Sequence, residues 1–421
     1  MPAISAAQWS ATGGQADAQF GRSLSAAGDV NGDGFGDVVV ASPGHDNGQD
    51  DEGRIDLFLG TASGLSTSPA WAYETNQTGA SLGLGLTMAG DVNGDGYDDL
   101  LVGATHLDGK LSQEGAAMLF RGSAVGLESS PSWVIYSGDI DVGFGASVAS
   151  AGDVNDDGYS DVIIGAYDFT NNQTQEGLVQ VYLGSPTGLS TTPDWTVEGN
   201  QEECFFGISV SSAGDVNGDG YDDVIIGASR YDHPMANEGR AYVYHGGPAG
   251  LAGSPAWIEE SNQIGARMGQ SVSRAGDVNG DGYADVIVGS PYYDNGEIDE
   301  GRVEVFLGGA TGLATIPAWT IESNQVGANL GESVAWAGDV NGDGYADVVV
   351  GASLFDNDQS DEGLVQVYLG SATGLSTSPA ISVEGDQSGS RFGSDVAGAG
   401  DVNGDGFGEM LVGAFTYADG C

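Results

Sequence analysis

The string D-V-N-x-D-G begins at Asp29, Asp91, Asp153, Asp215, Asp277, Asp339 and Asp401, and every interval is 62 residues. Seven copies at one spacing, with no insertion or deletion, restrict this 421-residue chain to an array of like units. A tryptophan stands twenty residues before the aspartate at Trp9, Trp71, Trp133, Trp195, Trp257 and Trp319, with Ile381 in the seventh copy. A Glu-Gly pair keeps register at Glu52, Glu114, Glu176, Glu238, Glu300 and Glu362.

Each unit reads as four short strands. In the sixth copy these are Ser333 to Ala337, Asp347 to Val350, Leu364 to Leu369 with its V-Q-V-Y alternation, and a fourth after Pro379 at the tryptophan position. Such units leave sheet edges and apolar faces open unless they stack or close into a ring. The expected fold is therefore all-β: one domain over residues 1–421, a seven-bladed β-propeller of four-stranded antiparallel blades. A linear β-solenoid is the structural alternative, but its coils are usually shorter and lack a four-strand meander. Residues 1–12 are expected to be the outer strand of the closing blade. The seventh copy stops just after its second strand, so that blade is expected to be incomplete and its seam the weakest part of the fold.

Glycine, with 73 residues, fits many tight turns. Acidic residues number 61 against 10 basic ones, a net charge of −51. That balance repels phosphate backbones and anionic lipid surfaces, so nucleic acid is excluded as a partner. No apolar run approaches the roughly 20 residues that span a bilayer, so membrane insertion is not expected. Cys204 and Cys421 are too few for a disulfide scaffold. The first residues, MPAISAAQWSA, have neither a basic n-region nor an apolar h-region, and no signal peptide is visible in them.

The acidic segments are the candidate site. They run over 29–37, 91–99, 153–161, 215–223, 277–285, 339–347 and 401–409. Oxygen side chains stand at positions 1, 3, 5 and 9, glycine at 6 permits a sharp turn, and position 7 offers its carbonyl. These are the first nine positions of an EF-hand loop, and hard oxygen ligands suit Ca²⁺. Mg²⁺ wants fewer protein ligands and stricter geometry, and soft metals want His or Cys. Position 12 is Val350 in the sixth copy, where an EF-hand carries a bidentate Glu, and no helix follows. The loop therefore joins two strands. The expected ligands are Asp29, Asn31, Asp33, Phe35 and Asp37 in the first loop, and Asp91, Asn93, Asp95, Tyr97 and Asp99 in the second. The third and fourth use Asp153, Asn155, Asp157, Tyr159, Asp161, and Asp215, Asn217, Asp219, Tyr221, Asp223. The fifth and sixth use Asp277, Asn279, Asp281, Tyr283, Asp285, and Asp339, Asn341, Asp343, Tyr345, Asp347. The seventh uses Asp401, Asn403, Asp405, Phe407 and Glu409. The competing reading is metal-free Asx-rich turns. Three carboxylates in each of seven loops repel one another without cations, which favours about seven Ca²⁺.

These residues resemble the FG-GAP repeats of the integrin α-subunit N-terminal propeller and its bacterial relatives. Phe-Gly recurs at Phe20, Phe144, Phe206 and Phe392, and softens to Leu82, Met268 and Leu330. Gly-Ala recurs at Gly103, Gly165, Gly227, Gly351 and Gly413, with Gly289-Ser290-Pro291 and Ala41-Ser42-Pro43 as variants. The resemblance covers essentially the whole chain. It implies first strands lining a central channel, calcium in the loops between first and second strands, and partner binding on the opposite face. The chain departs from the family in that all seven loops qualify as calcium sites.

An enzyme is not expected. His45, His106, His233 and His245 form no metal-ligand or triad pattern, and the G-x-S-x-G match at Gly79–Gly83 lacks a strand-to-helix context. A binding module is, with a protein or a glycan as ligand; a scaffold without its own ligand is the further alternative. The Glu-Gly pairs and the E-x-N-Q segments at Glu74, Glu260 and Glu322 belong to the face away from the loops, as ligand contacts or as turn caps and blade links. Arg274 and Trp336 break the series Ala26, Met88, Ser150, Ser212, Gly398 on the inner strand, and are candidate ligand contacts at the channel mouth. The periodic tryptophans read as blade-to-blade packing. Calcium dependence points to an extracellular or cell-surface setting, and the chain is expected to be a monomer.

Overall fold

The computed structural model describes residues 9–418. Its sheets are six four-stranded antiparallel blades, each a meander in chain order, and one two-stranded sheet, Val396–Gly400 with Glu409–Val412. The first blade is Ser23–Gly28, Asp37–Ser42, Arg54–Phe58 and Trp71–Glu74. The innermost strands touch one another in cyclic order, from Ser23–Gly28 round to Val396–Gly400 and back. The architecture is a propeller.

Seven four-stranded blades were expected, and this is corrected: six blades have four strands. The period was projected onto a copy that supplies only two of them. The outer strand expected over residues 1–12 is also not found over 9–12, which are irregular, and residues 1–8 lie outside the described part. Trp9 nevertheless acts as the other periodic tryptophans do. Its Nε1 donates to the carbonyl of Ser66, as Trp71 donates to Glu128 and Trp133 to Ser190, each 57 residues on in the next blade. Its ring meets Phe58 edge-on, as Trp71 meets Phe120. Each indole buries its apolar body between blades and spends its one donor on the neighbour.

The second strand of every complete blade is buried along its whole length. Each blade is covered on both faces by its neighbours, and runs such as Asp-Val-Ile-Ile-Gly-Ala suit a strand with no solvent side. The glycine of the Gly-Ala signature is fixed by contact. A Cβ on Gly227 would lie 1.9 Å from the carbonyl oxygen of Gly269, the Phe-Gly glycine of the next blade. The two signatures are thus halves of one blade crossing.

At the inner strands a serine hydroxyl accepts the next blade's backbone N–H: Ser147 from Val210, Ser209 from Val272, Ser271 from Val334 and Ser333 from Val396. At the closing seam the equivalent residue is Asp395, whose Oδ2 accepts the N–H of Leu24 at 2.8 Å. Burial pushes the Asp395 carboxyl up to about 7, against the opposing pull of the Leu24 N–H and the Arg22 charge. A carboxyl raised in the folded state holds a proton that the unfolded chain releases. Its contribution is full below about pH 4 and is lost as pH rises through about 7. Asp395→Asn keeps the acceptor without the titration. It should leave the melting temperature unchanged below about pH 4 and raise stability at pH 8 by an order of 1–4 kcal/mol, read from melts across that range. Equal pH profiles for the two proteins would remove Asp395 as the seam's titrating group.

Candidate metal centre

Every D-V-N-x-D-G segment is the connection between a first and a second strand, as expected. Glycine at position 6 is required by backbone conformation: Gly34, Gly96, Gly158 and Gly282 have φ of 90, 90, 90 and 89°, with open space where a Cβ would stand. The turn folds the loop over its first aspartate. In the fifth loop the Asp277 carboxylate accepts the N–H groups of Gly280, Asp281 and Gly282. Asn279 Oδ1 accepts from the Asp281 N–H, and Asp281 Oδ1 from the Tyr283 N–H. These bonds hold positions 1, 3 and 5 against one another, while among the described residues the carboxylates of positions 1, 5 and 9 are not brought within 4.8 Å of one another as a set.

Position 9 behaves differently. Asp285 is wholly buried; its Oδ2 accepts the Val278 N–H and its Oδ1 the Gly308 N–H, at 2.9 Å each. The same pair of bonds recurs for Asp37, Asp99, Asp161, Asp223 and Asp347. Burial pushes these carboxyls up to about 7, and Asp347 to about 6, with the aspartates of positions 1 and 5 adding repulsion. A donor set of carboxylate, amide and carbonyl oxygens, with no nitrogen or sulfur ligand, fits a hard divalent ion. In the seventh loop Glu409 accepts the Val402 N–H, and its other oxygen takes the Asn403 Nδ2. In loops two to six that amide instead reaches the aspartate of position 5, as Asn279 reaches Asp281.

The loops are also joined to one another. The N–H of position 8 donates to the carbonyl of position 1 in the preceding loop, as Ala284 to Asp215 and Ala346 to Asp277, and Gly36 to Asp401 closes the circle. The residue after each third strand's glycine donates to the carbonyl of position 2, again one blade back, as Gly309 to Val216. This lacing carried no signal in the spacing, because its partners lie in neighbouring units.

On the opposite face, the Glu-Gly glutamates are buried turn caps: Glu52 Oε1 accepts from Asn47 and Glu300 Oε1 from Asn295. The E-x-N-Q glutamines are two-point clamps between blades. Gln263 accepts the Asp294 N–H and donates to the Asp294 carbonyl, Gln201 and Gln325 do likewise with Asp232 and Asp356, and Gln77 accepts from Asp108 while donating to the His106 carbonyl. Both therefore serve turns and blade links. Between blades 2 and 3 the clamp position is Asp139, and there a cleft of about 510 Å³ opens, lined by Asp139, Asp141, Asp168, Thr170 and Gln175 among others. Arg274 and Trp336 do meet: the guanidinium lies 4.2 Å from the ring centroid, and burial weakens its hold on the proton, an effect that the Asp222 charge opposes. They stand at the loop end of the inner strands, near Asp285 and Asp347 in register. Ser81 Oγ lies 3.3 Å from His106 Nδ1, a pairing not anticipated, but Thr105 Oγ1 is nearer at 3.1 Å. The turn joins two strands, and its positive φ recurs at Phe205, Arg267 and Asn329, so it is a property of the repeat.

A family model described as FG-GAP repeat matches residues 20–58, 86–117, 144–182, 206–244, 268–305 and 330–368, more than half of the chain. The chain belongs to the FG-GAP repeat family. It is 31% identical to integrin alpha-5 of Xenopus laevis over 238 residues, 54% of this chain and 21% of that protein. It is 34% identical to human integrin alpha-IIb over 219 residues, 46% of this chain and 20% of that one. The FG-GAP chain thus spans about a fifth of the length of these relatives. A solved structure of BBS1N in complex with ARL6DN, soaked with lead, superposes with a TM-score of 0.45 at 12% identity, over 83% of this chain and 81% of that one.

Proposed function

We propose that this FG-GAP propeller is a calcium-braced, non-catalytic module that binds protein at a cell surface or outside the cell. The observation that carries the reading is the ring of seven oxygen-lined turns, each tied by backbone hydrogen bonds to the turn before it. Asp, Asn and carbonyl oxygens at positions 1, 3, 5, 7 and 9 would hold the ions, with Glu409 taking the ninth place in the last loop. Such sites fill at roughly 10⁻⁴–10⁻³ M calcium, an extracellular level. The similarity to integrin α chains supports a protein ligand over a sugar.

Binding belongs to the face away from the loops, where the repeats diverge at the Asp139 cleft; Arg274 and Trp336, at the loop end of the channel, are a separate candidate contact on the other side. Panning a displayed peptide library on the immobilised chain, beside a glycan array, tests this. Peptides should enrich in millimolar calcium and not in chelator, while the array stays blank. Saturable glycan binding without peptide enrichment makes the module a lectin, and silence from both makes it a scaffold. Arg274→Ala with Trp336→Ala, if it leaves peptide affinity unchanged, removes that pair from the contact surface.

A further inference from the structure

Four blades carry an asparagine at one place in the connection between second and third strands: Asn47, Asn171, Asn295 and Asn357. Each donates its Nδ2 to the glutamate that ends the fourth strand: Glu74, Glu198, Glu322 and Glu384. In the fourth blade that place is His233, and its Nδ1 lies 3.2 Å from Oε2 of Glu260. Glu238, of the same connection, brings a carboxylate oxygen to within 4.8 Å of both. Glu238 is wholly buried, and its Oε2 has no hydrogen-bond partner among the described residues, as holds also for Glu52, Glu176 and Glu300 at the same place in other blades; what is particular to the fourth blade is the imidazole beside it. A carboxylate oxygen kept from water with nothing to accept from is costly unless a cation compensates it. Among the described residues no other His, Cys, Asp or Glu group gathers in this way.

We propose that His233, Glu238 and Glu260 form a site for one transition-type divalent ion, of which Zn²⁺ is the representative, on the face opposite the acidic turns. One imidazole and two carboxylates suit such an ion, whereas a hard-ion site has no use for the ring nitrogen. Ligand atoms around tetrahedral zinc stand about 3.3 Å apart, which the His233–Glu260 pair already satisfies, so only Glu238 has to close in. Arg240 pairs with the other oxygen of Glu260 and fixes that carboxylate, as Arg54 fixes Glu74. The His233 side chain is 67% exposed, so a three-ligand set leaves the ion a fourth position toward solvent. That position would take water, or a carboxylate or imidazole of a bound protein.

The site does not depend on calcium in the turns, and its test keeps the two apart. Zn²⁺ alone is titrated calorimetrically into the full chain held in millimolar calcium. One ion per chain should bind, and His233→Asn should weaken it by more than about tenfold. That substitution installs the residue four other blades use, and it preserves the hydrogen bond to Glu260. An unchanged melting curve will show that folding is intact, and Glu260→Gln, which keeps its shape, should weaken zinc similarly. Absence of a one-to-one zinc event in the parent chain, or equal affinity in His233→Asn, overturns the proposal and leaves His233 and Glu260 as an ion pair only.

Discussion

Moving the calcium-saturated protein into excess chelator is expected to lower its melting temperature by about 10 °C, with metal analysis finding about seven calcium ions beforehand. At ten times its dissociation constant one ion contributes about 1.4 kcal/mol, so seven contribute on the order of 10 kcal/mol. The loss has a direct electrostatic side. Emptying the loops leaves at least three carboxylates in each turn, one of them buried in the first six, in a chain whose net charge is already −51. Seven divalent ions remove roughly a quarter of that negative charge. Magnesium at equal concentration should recover little of the loss, since the turns offer more oxygens than it retains. A melting temperature indifferent to chelator would end the calcium reading while leaving the propeller intact.

Within one turn, Asp285→Ala and Asp281→Ala should separate into two kinds of damage. Asp285 accepts two backbone N–H groups in a buried place, so its removal strands both donors, at about 1–3 kcal/mol each. About 2–6 kcal/mol should therefore be lost in chelator as well as in calcium. Asp281 is exposed, and its bonds are made within the turn, to the Tyr283 N–H and the Asn279 amide. Its removal should cost little in chelator and should lower calcium stoichiometry by about one. Denaturant melts of both variants with and without calcium read the difference. Equal losses in both conditions would mean that position 5 serves folding alone.

The period, the strand positions and the turns were legible because each is written in contiguous residues: alternation for strands, Gly and Asx for connections, oxygen spacing for the candidate site. What spans two copies was not. Gln263 reads as a polar loop residue until Asp294, 31 residues on, is seen to be held by it from both sides. The Phe-Gly and Gly-Ala signatures were visible as words, yet their reason, Gly227 against Gly269, is a contact between blades. The number of four-stranded blades was misjudged because a perfect interval counts turns, and a turn needs only two strands. Asp395 was passed over since one carboxylate replacing a serine carries no weight until the seam places it inside.

The circular lacing of the turns means that no ion would act on one blade alone. Fixing position 1 of a loop orients the carbonyl that the following loop's position 8 must reach, as Asp215 does for Ala284. Uptake would then be collective, each filled turn preordering the next around the circle. Depletion would begin where Glu409 and its borrowed Asn403 amide make the least regular cage, and advance from there in both directions.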